Sequence, residues 1–89
     1  MKRSVKKFTV KLRGKGNPDF RQYGDVALPE DVQVGTLEEA STVCRKYIEE
    51  NELGIGNWVG DAGIVLEGRK QVARIGWSGK VFKPDYPKI

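Results

Sequence analysis

Apolar and polar residues alternate at the start of the chain, between Lys6 and Arg13. Phe8, Val10 and Leu12 fall on one side of this segment, and their neighbours are Lys, Thr or Arg. A period of two residues is typical of a half-buried β-strand. The pattern therefore predicts a strand here.

The next segment, residues 14–30, has no regular period. Pro18, Gly24 and Pro29 interrupt it, together with other residues that favour turns. Such a composition predicts a long irregular surface loop. The apolar and polar pattern at 32–34 suggests a short strand that could return beside the first one.

A helix is predicted from Thr36 onward. Thr36 and Glu39 have the spacing of a capping box, in which the Thr hydroxyl accepts from the Glu39 amide and the Glu39 carboxylate accepts from the Thr36 amide. Gly54 is expected to end the helix as a left-handed cap. Apolar residues recur at spacings of three and four and form one stripe: Leu37, Ala40, Val43, Cys44, Tyr47 and Ile48.

Two hairpins follow the helix. Residues 64–66 and 72–77 flank the turn at 67–70, and the second of these strands meets residues 81–82 across Ser78-Gly79. The hairpins predict an α+β fold with an antiparallel sheet of four or five strands, one helix packed on one face, and the order β(β)αβββ.

The length of 89 residues suits a single small domain over residues 1–89, with flexible ends at 1–5 and 84–89. No apolar run approaches the ~20 residues of a membrane-spanning helix, and the basic start is followed by no apolar signal region. Cys44 is the single cysteine, so no internal disulfide is possible. These features predict a cytoplasmic protein with no membrane association.

No catalytic, cofactor-binding or metal-binding residues are predicted. The chain has no histidine, and Cys44 falls on the apolar stripe of the helix, where a thiol is structural. Asp19, Asp25, Asp61 and Glu67 could converge as catalytic carboxylates, but acidic residues in turns more often cap backbone amides. We therefore expect a binding domain and not an enzyme.

The glycine-rich stretches at 54–60 and 78–80 do not predict a nucleotide site. The first follows a helix and precedes a strand, whereas a phosphate-binding loop leads from a strand into a helix. The second lies in a hairpin turn. We infer no cofactor and no small-molecule substrate.

Positive charge is concentrated at the start of the chain: residues 1–15 contain seven lysines and arginines and no acidic residue. If the first strand joins the sheet of the later hairpins, several cations share its solvent face. This predicts a nucleic-acid-binding module, although the same residues also serve solubility. The predicted contacts are Lys7, Lys11, Arg13, Lys15 and Arg74.

An alternative is a protein-interaction or inhibitory accessory domain of a larger assembly. Trp58 lies on no periodic face, so it either closes the end of the core or, if exposed, anchors a protein interface with Tyr23 or Tyr86. The sequence leaves both functions open.

Parts of the carboxyl half resemble a group of small, uncharacterised bacterial proteins. The similar segments are Gly56-Asn57-Trp58, residues 68–75 and residues 78–82. They cover about a third of the chain and include no catalytic motif, so the resemblance implies no activity.

Overall fold

A computed structural model describes residues 7–16, 21 and 24–84. The strands form one antiparallel five-stranded sheet in the order β2-β1-β3-β4-β5, which confirms the predicted α+β fold. The predicted flexible ends lie outside the described residues, apart from Pro84. The elements are β1 (Phe8–Lys15), β2 (Asp25–Val34), α1 (Leu37–Glu50), a 3-10 turn (Ile55–Asn57), β3 (Ile64–Glu67), β4 (Lys70–Ile75) and β5 (Val81–Phe82).

β1 is an interior strand of the sheet because it pairs with β2 on one side and β3 on the other. Phe8 is opposite both Val34 and Glu67, and Val10 is opposite Val32 and Val65. β1 therefore belongs to the same sheet as the later hairpins, as the nucleic-acid prediction requires.

β2 begins at Asp25, so the prediction of an irregular loop is wrong for residues 25–30. Pro29 is accommodated where the register shifts, between the pair Leu12–Glu30 and the pair Gly14–Ala27. A proline at such an irregularity of an edge strand removes no regular ladder hydrogen bond. The predicted short strand at 32–34 is confirmed as the end of β2, beside β1. The sequence pattern missed residues 25–31 because their pairing depends on β1 and not on local periodicity.

The start of α1 agrees with the prediction from the sequence, except for one hydrogen-bond partner. The Thr36 hydroxyl accepts from the Glu39 amide at 3.0 Å, as predicted. The Glu39 carboxylate accepts instead from the amide of Gly35, at 2.9 Å, one residue before the expected partner. Both side chains therefore satisfy amides at the helix entrance.

The helix ends differently from the prediction. Glu52, and not Gly54, adopts the left-handed conformation, with φ of 54°. The Leu53 amide then donates to the Ile48 carbonyl at 2.9 Å, and the Glu52 amide to the Glu49 carbonyl at 3.3 Å. These two bonds form a Schellman motif with a non-glycine residue at its left-handed position.

The core lies between α1 and one face of the sheet. Cys44 is fully buried there, and burial raises the pKa of its thiol to about 12.

The predicted strand through Trp77 ends at Ile75, because residues 76–80 form the turn into β5. No helix in the described part of the chain is long and apolar enough to cross a membrane. The largest fully buried side chains are Leu12, Ile75, Val10, Val34, Val65 and Cys44.

Candidate functional site

The acidic residues of β2 neutralise part of the predicted basic face. Arg13 lies 2.9 Å from the Asp31 carboxylate, and Lys15 lies 3.2 Å from that of Asp25. The Arg13 guanidinium also donates to the carbonyls of Leu12 and Glu30, and its side chain is only 19% exposed. Both cations are therefore already paired with carboxylates of β2. The sequence pattern missed the pairing because Asp25 lay in the predicted loop.

The remaining predicted cations have different surroundings. Arg74 lies on the open face of the sheet, as expected, and donates to the Gly60 carbonyl at 2.8 Å. Lys11 is directly opposite Asp31 on β2, and Lys7 lies 5.0 Å from the centre of the Phe8 ring. The structure thus brings Lys11, Arg13 and Arg74 onto one sheet, but beside acidic or carbonyl oxygens.

Trp58 is a core residue, so its prediction as an exposed interface anchor is wrong. Only 6% of its surface is exposed, its indole N–H donates to the Ile75 carbonyl at 2.9 Å, and its ring lies 6.2 Å from that of Tyr47. It closes the end of the core, which was the other predicted role. Tyr23 and Tyr86 lie outside the described residues.

Next to Trp58 the surface forms an apolar groove of about 500 Å³. Ile55 and Val59 stand at its mouth with 70% and 43% of their surfaces exposed, although both are large hydrophobic residues. We refer to this feature as the groove. Its lining consists of Ile55, Trp58, Val59, Arg74, Ile75, Gly76, Trp77, Ser78 and Phe82.

Hydrogen bonds to backbone carbonyls fix the aromatic wall of the groove. The Trp77 indole donates to the Leu53 carbonyl at 3.0 Å, which ties the β4–β5 turn to the end of α1. The Arg45 guanidinium lies 5.2 Å from the Trp77 ring and donates to the Trp77 carbonyl. On the same turn, the Ser41 hydroxyl donates to the Gly79 carbonyl at 2.6 Å. The turn is therefore anchored to the helix at several points.

Gly76 allows the Phe82 ring to pack closely against the backbone of the groove. A Cβ atom at this position would lie 2.8 Å from a ring carbon of Phe82, so any larger residue would require the ring to move. Phe82 is half-buried and sits opposite Arg74 across β4 and β5. The groove thus depends on the sequence of both strands of this hairpin.

The electrostatic character of the groove is positive. Arg74 lines it, and the Lys80 ammonium lies 5.4 Å from the centre of the Phe82 ring at its edge. No carboxylate occurs among the described residues of the lining. The groove therefore offers an apolar surface with cations beside it.

Two of the candidate carboxylates, those of Asp25 and Glu67, lie far apart in the described part of the chain. Asp25 is opposite Lys15 at one end of β1, whereas Glu67 is opposite Phe8 at the other end. Asp61 is exposed in the loop before β3, and Asp19 lies outside the described residues. Within the described ranges, no three His, Cys, Asp or Glu side chains group together as a metal site would require.

No protein-family model matches the chain, and neither a curated protein nor a solved structure matches it. The groove and the distribution of charge are therefore the two features on which a function can be based.

Proposed function

We propose that this protein is a protein-interaction domain that binds a short apolar segment of a partner in the groove. The observation that carries the proposal is the exposure of Ile55 and Val59 beside the aromatic rings of Trp77 and Phe82. Large apolar side chains gathered around a concave surface lose contact with water when a partner binds, at roughly 25 cal/mol per Å² of apolar area. A volume of about 500 Å³ is within the range of ligand-binding clefts.

The charges at the groove favour a partner segment that carries a carboxylate. Arg74 and Lys80 supply positive charge, and no described acidic side chain of the lining offsets it. An acidic residue next to apolar ones in the partner would complement both properties of the surface. A strongly basic segment would be repelled.

The groove is suited to binding because its walls are already in place. The indole groups of Trp58 and Trp77 both donate to backbone carbonyls, and the β4–β5 turn is anchored on α1. A surface that needs little ordering loses less conformational entropy when it binds. The partner segment then bears most of the ordering cost.

A selection of random displayed peptides on the immobilised full chain tests this function. We expect the enriched peptides to combine apolar residues with at least one carboxylate. An Ile55→Asp variant should weaken their binding at least about tenfold, because a charge replaces the most exposed apolar contact. Ile55 is exposed, so this variant should remain folded.

Leu28→Asp is the matched control, because Leu28 is 81% exposed but lies on β2 and does not line the groove. Its peptide affinity should equal that of the wild type. The proposal is overturned if no peptide is enriched above background, or if Leu28→Asp and Ile55→Asp reduce binding equally.

A further inference from the structure

Cations without a carboxylate partner gather at one end of the sheet. They lie just before β1, in the β3–β4 turn, at the first residue of β4 and just after β5. Each is exposed, and within the described part of the chain none forms an ion pair. We call this group the basic end; it consists of Lys7, Arg69, Lys70 and Lys83.

The strand register places these cations together. Lys7 precedes Phe8, which is opposite Glu67, and Glu67 is opposite Lys70. On the far side of β4, the Gln71 side chain donates to the Pro84 carbonyl at 3.1 Å, so the residue after Lys83 lies beside the start of β4. The cations therefore span the sheet from β1 to β5.

Acidic residues also occur near the basic end. Glu67 lies within the group and is the nearest carboxylate along the ladder. Glu38 and Glu39 stand in the first turn of α1, which follows β2, and Glu39 accepts from the Gly35 amide.

We propose that the basic end binds the phosphate backbone of a nucleic acid. Exposed cations with no carboxylate partner can exchange their counterions for phosphates, whereas Arg13 and Lys15 already contact Asp31 and Asp25. This places the predicted activity on a different surface: of the five cations predicted from the sequence, only Lys7 belongs to the basic end.

The surroundings of the basic end favour nucleic acid over a lipid surface. Peripheral membrane binding combines basic residues with apolar side chains that insert among the lipids. Among the described residues, Val81 is the one exposed large hydrophobic residue within two positions of the basic end; the others, Val26, Leu28, Ile55 and Val59, belong to β2 and to the segment between α1 and β3. With charge as its only recognition element, the basic end should bind without sequence preference.

Fluorescence anisotropy with a labelled DNA duplex at about 50 mM salt tests this inference on the full chain, because phosphate-driven binding is strong at low salt. Lys70→Gln and Lys83→Gln should each weaken binding several-fold and each lower the salt slope by about one. Glu67→Gln should strengthen binding, because it removes the carboxylate next to Lys70.

Lys46→Gln is the matched control. It removes the same charge from an exposed position on α1, where Lys46 lies 4.0 Å from Glu50. Its affinity should stay near the wild-type value. Absence of duplex binding, an equal loss for Lys46→Gln and Lys70→Gln, or binding to phosphatidylserine vesicles but not to duplex would each overturn the inference.

The basic end shares no residue with the groove. A failure of duplex binding therefore leaves the peptide experiment unaffected, and the reverse also holds.

Discussion

The indole N–H of Trp58 donates to the main-chain carbonyl of Ile75 at 2.9 Å. This bond joins the segment after the 3-10 turn to the last residue of β4, and both residues line the groove. Beside it, the Ile75 amide donates to the Gly63 carbonyl at 2.8 Å. Both the amide and the carbonyl of Ile75 are thus hydrogen-bonded to the loop that precedes β3.

Trp58→Phe should destabilise the fold. It leaves the buried Ile75 carbonyl without its indole donor, which costs about 1–3 kcal/mol, and the smaller ring adds a packing loss. Urea unfolding would measure the change. Trp77→Phe is the control, because the half-buried Trp77 also loses one bond to a carbonyl, that of Leu53. An equal or larger loss in the control would contradict the role assigned to Trp58.

Gly63→Ala should be far more destabilising than Gly68→Ala. Both glycines have positive φ, 84° and 65°, so both substitutions incur the left-handed cost of about 1–2 kcal/mol. At Gly63 a Cβ would also clash with the Ile75 carbonyl oxygen, whereas at Gly68 no atom lies within 4 Å. Thermal unfolding of the two variants measures the difference, and equal midpoints would refute the close approach of Gly63 and Ile75.

Glu52→Gly should stabilise the protein by a few tenths to about 1 kcal/mol. Glu52 has φ of 54°, and glycine adopts this conformation without the steric cost, although it loses more entropy on folding. Glu50→Gly, at the last helical residue, should instead destabilise. Chemical unfolding of both variants provides the comparison; a loss in Glu52→Gly as large as that in Glu50→Gly would contradict the left-handed conformation of residue 52.

The stability advantage conferred by Cys44 should decrease at high pH. Burial raises the pKa of the thiol from 9.0 to about 12 in the folded state. Above pH 9.0 the unfolded chain therefore loses this proton while the folded chain keeps it, so the free energy of unfolding falls as pH rises toward 12. The difference between wild type and Cys44→Ala, measured by urea unfolding, should shrink over this window. A constant difference would contradict the burial of the thiol.

Local sequence signals predicted the parts of the fold that depend on local contacts. The Thr36 cap, the apolar stripe with Cys44 and the order and pairing of the two later hairpins agree with the structure, whereas the strand predicted over residues 72–77 lies at Lys70–Ile75. Of β2 only residues 32–34 were found in this way, because Pro29 breaks the local pattern of the earlier residues and their position is set by pairing with β1.

The candidate sites were harder to predict than the fold, because they form through contacts between residues that are distant in the sequence. The sequence placed Arg13 and Lys15 on a basic face, but their carboxylate partners come from β2, which was not predicted in full. The groove joins residues 55–59 to residues 74–82, and no local pattern indicates that these segments meet. The exposure of Ile55, which indicates the groove, can be seen in the structure but not in the sequence.

The central claim is that the groove is the docking surface, and an NMR titration tests it most directly. The isotope-labelled full chain would be titrated with the tightest peptide from the display selection, and the backbone amide shifts followed. We predict shift changes concentrated in residues 55–59 and 74–82. Changes concentrated on β2 or at the basic end, or no changes at saturating peptide, would contradict the claim.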